Sequence, residues 1–211
     1  MNEAYLIDCM AYMKTLPDKY FELSIVDPPY GIGNFVQTSG NVRGEAVKWN
    51  DHTPTSDYFA ELRRVSKEQI IWGANYYNCF NDKGGAIVWW KQVPPESNLS
   101  ECEIASYSRL KRVAYVNIRW QNIGRGEPMI HPCQKPVALY EWLLTHYAHP
   151  GDRILDTHLG SGSSRIAAYN LGFDFVGCEI DKDYFDAQER RFADHTAQQN
   201  LFLDYQQVKA W

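Results

Sequence analysis

The stretch Ile154-Leu155-Asp156-Thr157-His158-Leu159-Gly160-Ser161-Gly162-Ser163-Ser164 sets the fold class. A short apolar run ends in an acid, turns through two glycines and opens into Ser163–Leu171, a helical segment with Ser163 or Ser164 as its cap and Gly172 just past its end. Glycines let a backbone approach a ligand closely, and a helix start presents free N–H groups. The next apolar run, Phe175–Cys178, ends at Glu179, 17 residues after Gly162. An acid at the tip of the second strand, about twenty residues past a glycine turn, is placed to meet ribose hydroxyls. The third glycine of a dinucleotide fingerprint would fall at Arg165, so a nucleoside without a diphosphate fits better. An ordinary tight turn between a strand and a helix gives the same bare pattern.

Outward from this unit, strand and helix candidates alternate. Ala4–Asp8, Glu22–Val26, Gln69–Trp72, Ala86–Trp90, Glu103–Tyr107, Val113–Ile118 and Arg153–Leu155 read as strands. Met10–Leu16, Thr55–Val65, Pro136–Tyr147 and Lys182–His195 read as helices. That alternation predicts an α/β fold with a mostly parallel sheet. Residues 31–55 lack periodicity and read as a long loop, a length that usually serves function or disorder.

A second unit closes the run Glu22–Val26: Asp27-Pro28-Pro29-Tyr30. The diproline forces a stiff, extended exit from the sheet edge. Ligands of open α/β sheets sit beyond the carboxyl ends of the strands. A carboxylate and a fixed carbonyl can accept both N–H groups of an exocyclic amine, and Tyr30 can stack on a flat ring. A proline-stiffened turn with a surface Asp is the plainer account.

The chain has 211 residues and a net charge of -5, with 45% hydrophobic residues, the composition of a globular domain. No apolar run approaches the ~20 residues of a membrane span, and the start MNEAYLIDCM lacks the pattern of a secretory signal. Cys9, Cys79, Cys102, Cys133 and Cys178 never form CxxC, which predicts reduced thiols in a cytoplasmic protein and no metal site. The acidic balance argues against nucleic acid, yet Ile104–Lys135 holds six Lys/Arg and one acid, Glu127. Charge is therefore unevenly spread.

Asp27–Tyr30 resembles the catalytic motif of amino-group DNA methyltransferases. Asp156–Ser164 resembles their S-adenosylmethionine loop, DxFxGxG, and His131-Pro132-Cys133-Gln134-Lys135-Pro136 resembles the HPTQKP stretch before it. Catalytic motif first and cofactor loop last is the circularly permuted order of the beta class. The resemblance spans nearly the whole chain and implies a single Rossmann-like methyltransferase domain over 1–211, with a mostly parallel twisted sheet and helices on both faces. Asp27, Pro28 and Tyr30 would hold the target amine, with Pro29 shaping the loop. Asp156, Gly160, Ser161 and Gly162 would line the methionine part of the cofactor, Glu179 its ribose, Asp8 its adenine amine, and Lys135 its amino-acid end, with Ser163 and His158 also at the cofactor. Thr157-His158 stands where the family has Pro-Phe; a neutral His158 would serve as a flat wall and a charged one would repel the sulfonium.

Asp before Pro-Pro-Tyr is typical of adenine-N6 enzymes, with cytosine-N4 as the alternative and no free cysteine nucleophile required. The family reads its site with a segment between the motif blocks, here roughly 91–130. Arg109, Lys111, Arg112, Arg119 and Arg125 there are expected to contact double-stranded DNA, with Trp120 among them. So short a segment predicts a short recognition site and salt-sensitive binding. A small phage-like member, a restriction-modification setting and a homodimer are all compatible with the chain. An RNA or protein methyltransferase, or a non-catalytic nucleoside-binding module, are the competing classes.

Overall fold

The computed structural model describes residues 1–33, 50–94, 96, 97, 99–120 and 129–208. Its centre is an eight-stranded sheet: β1 (Asn2–Leu6), β2 (Phe21–Val26), β3 (Ser66–Trp72), β4 (Ala86–Trp90), β5 (Cys102–Tyr107), β6 (Val113–Asn117), β7 (Arg153–Asp156) and β8 (Asp174–Glu179). They lie in the order β1-β8-β7-β2-β3-β5-β4-β6. Only β5 runs antiparallel to its neighbours β3 and β4.

Neighbouring residues in the central strands serve opposite faces. Ile70, Ile154 and Phe175 enter one core, while Ile71, Leu155 and Val176 enter the other. Burial on both sides explains why these strands read as continuous apolar runs without polar alternation. One core is covered by α4 (Val137–Tyr147) and α5 (Ser163–Asn170), the other by α1 (Cys9–Met13) and α2 (Ser56–Val65). The expected doubly wound sheet with helices on both faces is present.

The position of the site follows from chain direction. From β2 the chain passes through α2 to β3, and from β7 through α5 to β8, which lie on opposite sides of the β2–β7 pair. Right-handed crossovers in opposite directions must lay α2 and α5 on opposite faces, leaving a crevice beyond the carboxyl ends of β2 and β7. Leu23 pairs with Ile154 and Ser24 with Leu155, so the two loops far apart in sequence leave the sheet side by side.

Several local expectations shift. The first strand is Asn2–Leu6, not Ala4–Asp8, and Asp8 caps α1 by accepting from the Ala11 amide at 2.9 Å. The α5 cap is Gly162 at φ 73, not Ser163 or Ser164, because the chain must turn left-handed there. A one-turn helix, α3 (Ala74–Tyr77), follows β3, and α6 extends over Lys182–Val208. Most of the loop expected at 31–55, residues 34–49, falls outside the described residues.

Candidate active site

A cavity of about 1010 Å³ opens at the crevice, the upper end of the size range of small-molecule sites. Asp27, Pro28, Pro29, Tyr30, Lys135, His158, Gly160, Ser161, Ser163 and Glu179 line it. The residues of the three sequence motifs therefore meet in one cavity, although they are scattered along the chain.

At one end, the glycine loop is held rigid from behind. Asp156 is buried; it accepts from the Ser164 hydroxyl at 2.5 Å and from the His158 amide at 3.0 Å. Burial pushes its carboxyl up to about 7. Buried Arg191, from α6, donates to the Ser161 carbonyl at 2.7 Å and the Ser163 hydroxyl at 2.9 Å. Glu179 accepts from the amides of Gly160, Ile180 and Asp181 at 2.7, 3.0 and 2.9 Å. Its carboxylate is thereby aimed, and one lone-pair site, on Oε2, remains for a ligand.

Three residues expected on the cofactor are not on the cavity wall. Asp156 and Gly162 shape the loop from behind, and Asp8 is an exposed helix cap.

His158 lines the cavity edge-on to Tyr58, with ring centroids 5.4 Å apart. Its Nδ1 lies 2.9 Å from the Thr157 hydroxyl. Burial pushes its pKa down to about 4, so near neutral pH it is an uncharged wall.

The other end holds a charge network of two buried lysines and two partly buried carboxylates. Lys135 Nζ lies 2.5 Å from Asp27 Oδ2 and 2.9 Å from Glu103 Oε2, and Lys91 Nζ lies 2.9 Å from Glu103 Oε1. The Tyr30 hydroxyl donates to Asp27 Oδ1 at 2.6 Å and lies 3.2 Å from Glu103 Oε2. Burial raises the Glu103 carboxyl, but Lys135 and Lys91 outweigh it and hold it down at about 2. Burial raises Asp27 more than Lys135 draws it back, so Asp27 is the weaker acid of the two. Burial opposes charge on Lys135, yet the two carboxylates keep it protonated. Lys135, expected at the cofactor's amino-acid end, lines the cavity and is bonded to the Asp27 carboxylate.

The Asp27–Tyr30 turn is clamped. Buried Asn50 accepts from the Tyr30 amide at 2.8 Å and the Gly31 amide at 3.3 Å. The Tyr77 hydroxyl donates to the Pro28 carbonyl and, at 2.9 Å, to the Pro29 carbonyl. A Cβ on Gly73 would stand 2.4 Å from the Tyr30 ring, so glycine is required there. Tyr30 was expected to present a free face to a base. One face is already stacked on Tyr76, at 4.8 Å between centroids and 18° between planes.

Residues 71–190 match the N6_N4_Mtase family, described as DNA methylase. The chain belongs to this family. It is 22% identical to the putative methylase YubD of Escherichia coli (strain K12), over 88% of each chain. It is 25% identical to the type II methyltransferase M2.MboI of Moraxella bovis, over 91% of this chain and 88% of that one. Among solved structures, the M1.HpyAVI–SAM complex superposes with a TM-score of 0.62 at 22% identity, covering 90% of this chain and 100% of that one. The cytosine-N4-specific PvuII DNA methyltransferase superposes at 0.63 with 12% identity, covering 92% and 91%. These likenesses establish the Rossmann-like methyltransferase fold.

The basic residues expected on the DNA face of this methylase do not form one face. Because β5 runs antiparallel, the chain returns to the opposite edge of the sheet before β6 begins. Arg109, Lys111 and Arg112 sit at that far edge, separated from Glu103 by a strand of six residues, roughly 17–20 Å. Arg109 is paired there with Glu68 at 3.1 Å. Arg119 alone of the described members follows β6 back to the cavity side, beside Trp120 on the cavity wall. Arg125 lies outside the described residues. Replacing Lys111 and Arg112 together by Ala is expected to leave DNA affinity within about twofold, while Arg119→Ala weakens it and reduces the salt slope by about 1. Equal losses in both variants, measured by salt titration of binding, would refute this placement.

Glu103, Lys91, Tyr76, Asn50 and Arg191 were not anticipated. The only sequence signal was a charge at the end of an apolar strand, Lys91 after Ala86–Trp90 and Glu103 as the first residue of Glu103–Tyr107. Among the described residues no cluster of His, Cys, Asp and Glu could hold a metal ion, and no helix is long and apolar enough to cross a membrane.

Proposed function

We propose that this chain transfers a methyl group from S-adenosylmethionine to the exocyclic N6 of adenine in a short site of double-stranded DNA. The observation that carries the reading is the convergence of Asp27, the Pro28 turn, Gly160 and Glu179 on one cavity. Glu179 suits the ribose hydroxyls, and Gly160 and Ser161 the methionine part. Uncharged His158 is compatible with a sulfonium beside it. Bound S-adenosylmethionine supplies a methyl group already activated on sulfur.

The protein's share is then positioning and charge. A base buried in a duplex must be extruded to reach this depth, and the aromatic wall of Tyr30, Tyr76 and Trp120 would receive it. Asp27 and the Pro28 carbonyl accept the two N–H groups, which turns the nitrogen lone pair toward the cofactor end. The Asp27 carboxylate stabilises the positive charge that develops on nitrogen and is placed to take its proton. An aspartate at position 27 supports adenine as the target.

Incubation of the purified protein with methyl-labelled S-adenosylmethionine and unmethylated DNA, followed by separation of the nucleosides, tests the reading. Label in N6-methyl-2′-deoxyadenosine is expected. Label in N4-methyl-2′-deoxycytidine would transfer the reading to cytosine, and unlabelled DNA would refute it.

A further inference from the structure

The carboxylate assigned to the substrate amine has both oxygens engaged before any substrate arrives. Asp27 Oδ1 holds the Tyr30 hydroxyl at 2.6 Å and Oδ2 holds Lys135 at 2.5 Å. An incoming amine competes with these donors for the same two oxygens, and a buried donor displaced without another partner is costly. Glu103 Oε2 lies 2.9 Å from Lys135 Nζ and 3.2 Å from the Tyr30 hydroxyl, so both donors of Asp27 already have a second acceptor within reach. The other Glu103 oxygen is anchored by Lys91, whose carbonyl accepts from the Trp120 amide at 2.9 Å.

We propose that Glu103 is a positioning residue for methyl transfer. When the amine docks, Glu103 takes over Lys135 and the Tyr30 hydroxyl, and Asp27 turns its freed oxygen to the amine. This rests on the reading of Asp27 as the amine acceptor. Two carboxylates and two ammonium groups share the buried set, so the exchange moves no net charge into the site. Without Glu103, Lys135 would have Asp27 as its only anionic partner and would compete with the substrate for it.

Glu103→Gln alone leaves an excess buried cation and risks unfolding. Glu103→Gln combined with Lys91→Met restores the charge balance while replacing the second anionic acceptor of Lys135 by a neutral, weaker one. The double variant is expected to lose roughly 10- to 100-fold in single-turnover methyl transfer, the scale of one hydrogen bond to a charged group. Its affinity for S-adenosylmethionine, by calorimetry, is expected to stay within about twofold of wild type. A purely structural role for Glu103 predicts recovery of the rate once the charge is balanced, and a wild-type rate overturns the proposal. A crystal structure of the unaltered protein with S-adenosylhomocysteine and substrate DNA reads the exchange directly. Lys135 on Glu103 and off Asp27 is expected; Lys135 still on Asp27 Oδ2 overturns it. If Asp27→Ala retains turnover, the reading of the site itself fails. If Asp27→Ala is inactive and the double variant is fully active, only the role of Glu103 fails.

Discussion

Asp27→Ala is expected to lower methyl transfer by about 10²- to 10⁴-fold while S-adenosylmethionine still binds. The loss follows from geometry. Asp27 sits at the end of β2, and the carboxylate and glycine-loop contacts at the cofactor end come from β7, β8 and α6. Removing the Asp27 side chain touches none of those contacts. Lys135 keeps Glu103 at 2.9 Å, but one excess buried cation remains, so Asp27→Asn and the retained cofactor affinity serve as the folding controls. The amine loses its charged acceptor, the lone pair is no longer oriented, and the charge developing on nitrogen is uncompensated. Asp27→Asn keeps one oxygen acceptor without the charge and should fall between wild type and Ala. Single-turnover rates with labelled cofactor, alongside calorimetric affinities, check both. A parallel loss of cofactor affinity would instead assign Asp27 to the cofactor.

The second large effect is on stability. Lys135→Met is expected to cost about 3–5 kcal/mol, the scale for removing one partner of a buried ion pair. Lys135 is 5% exposed and is the only cation within bonding distance of Asp27 among the described residues. It also lies 5.5 Å from the Trp72 ring centroid and 5.7 Å from that of Tyr30. Methionine fills much the same space, so packing changes little and the loss is electrostatic. Two carboxylates, 15% and 20% exposed, are then left facing each other, with Lys91 on Glu103 alone. Asp27, the weaker acid, must take a proton for the fold to persist. Such a carboxyl, with a folded pKa above its unfolded one, binds its proton more readily in the folded state. The deficit is therefore largest at neutral pH and shrinks as pH falls into the carboxylate range. Urea unfolding across pH measures both size and sign. A loss below about 1 kcal/mol would class the pair with solvated surface pairs.

How far the site was legible depended on the residue. Asp27, Gly160 and Glu179 each close an apolar run or stand in its following turn, so their placement at one sheet edge could be read from neighbours in sequence. Asp156 was equally legible as a strand end, yet its carboxylate faces Ser164 and the His158 amide, away from the cavity. Side-chain direction at a turn depends on φ and ψ, which a glycine pattern does not state. The four-residue helix Ala74–Tyr77 was illegible because four residues carry no periodicity, and it is the element that brings Tyr76 and Tyr77 onto the catalytic turn.

The amino-acid sequence by itself determined the alternation of strands and helices, the two loops that leave strand ends, the order of the motifs and the family they resemble. Those are local properties: hydrophobic period, turn chemistry and spacing act over a few residues. Tertiary structure decided the rest. It paired β2 with β7, so that Asp27 and the glycine loop became neighbours. It reversed β5, which set Glu103 at the catalytic edge and carried Arg109, Lys111 and Arg112 to the far one. It buried Lys135 between two carboxylates from different strands, where the sequence offered only a cofactor contact or a solvated lysine. Strand direction and burial depend on partners distant in the chain, and the charge state of a buried group depends on those partners in turn.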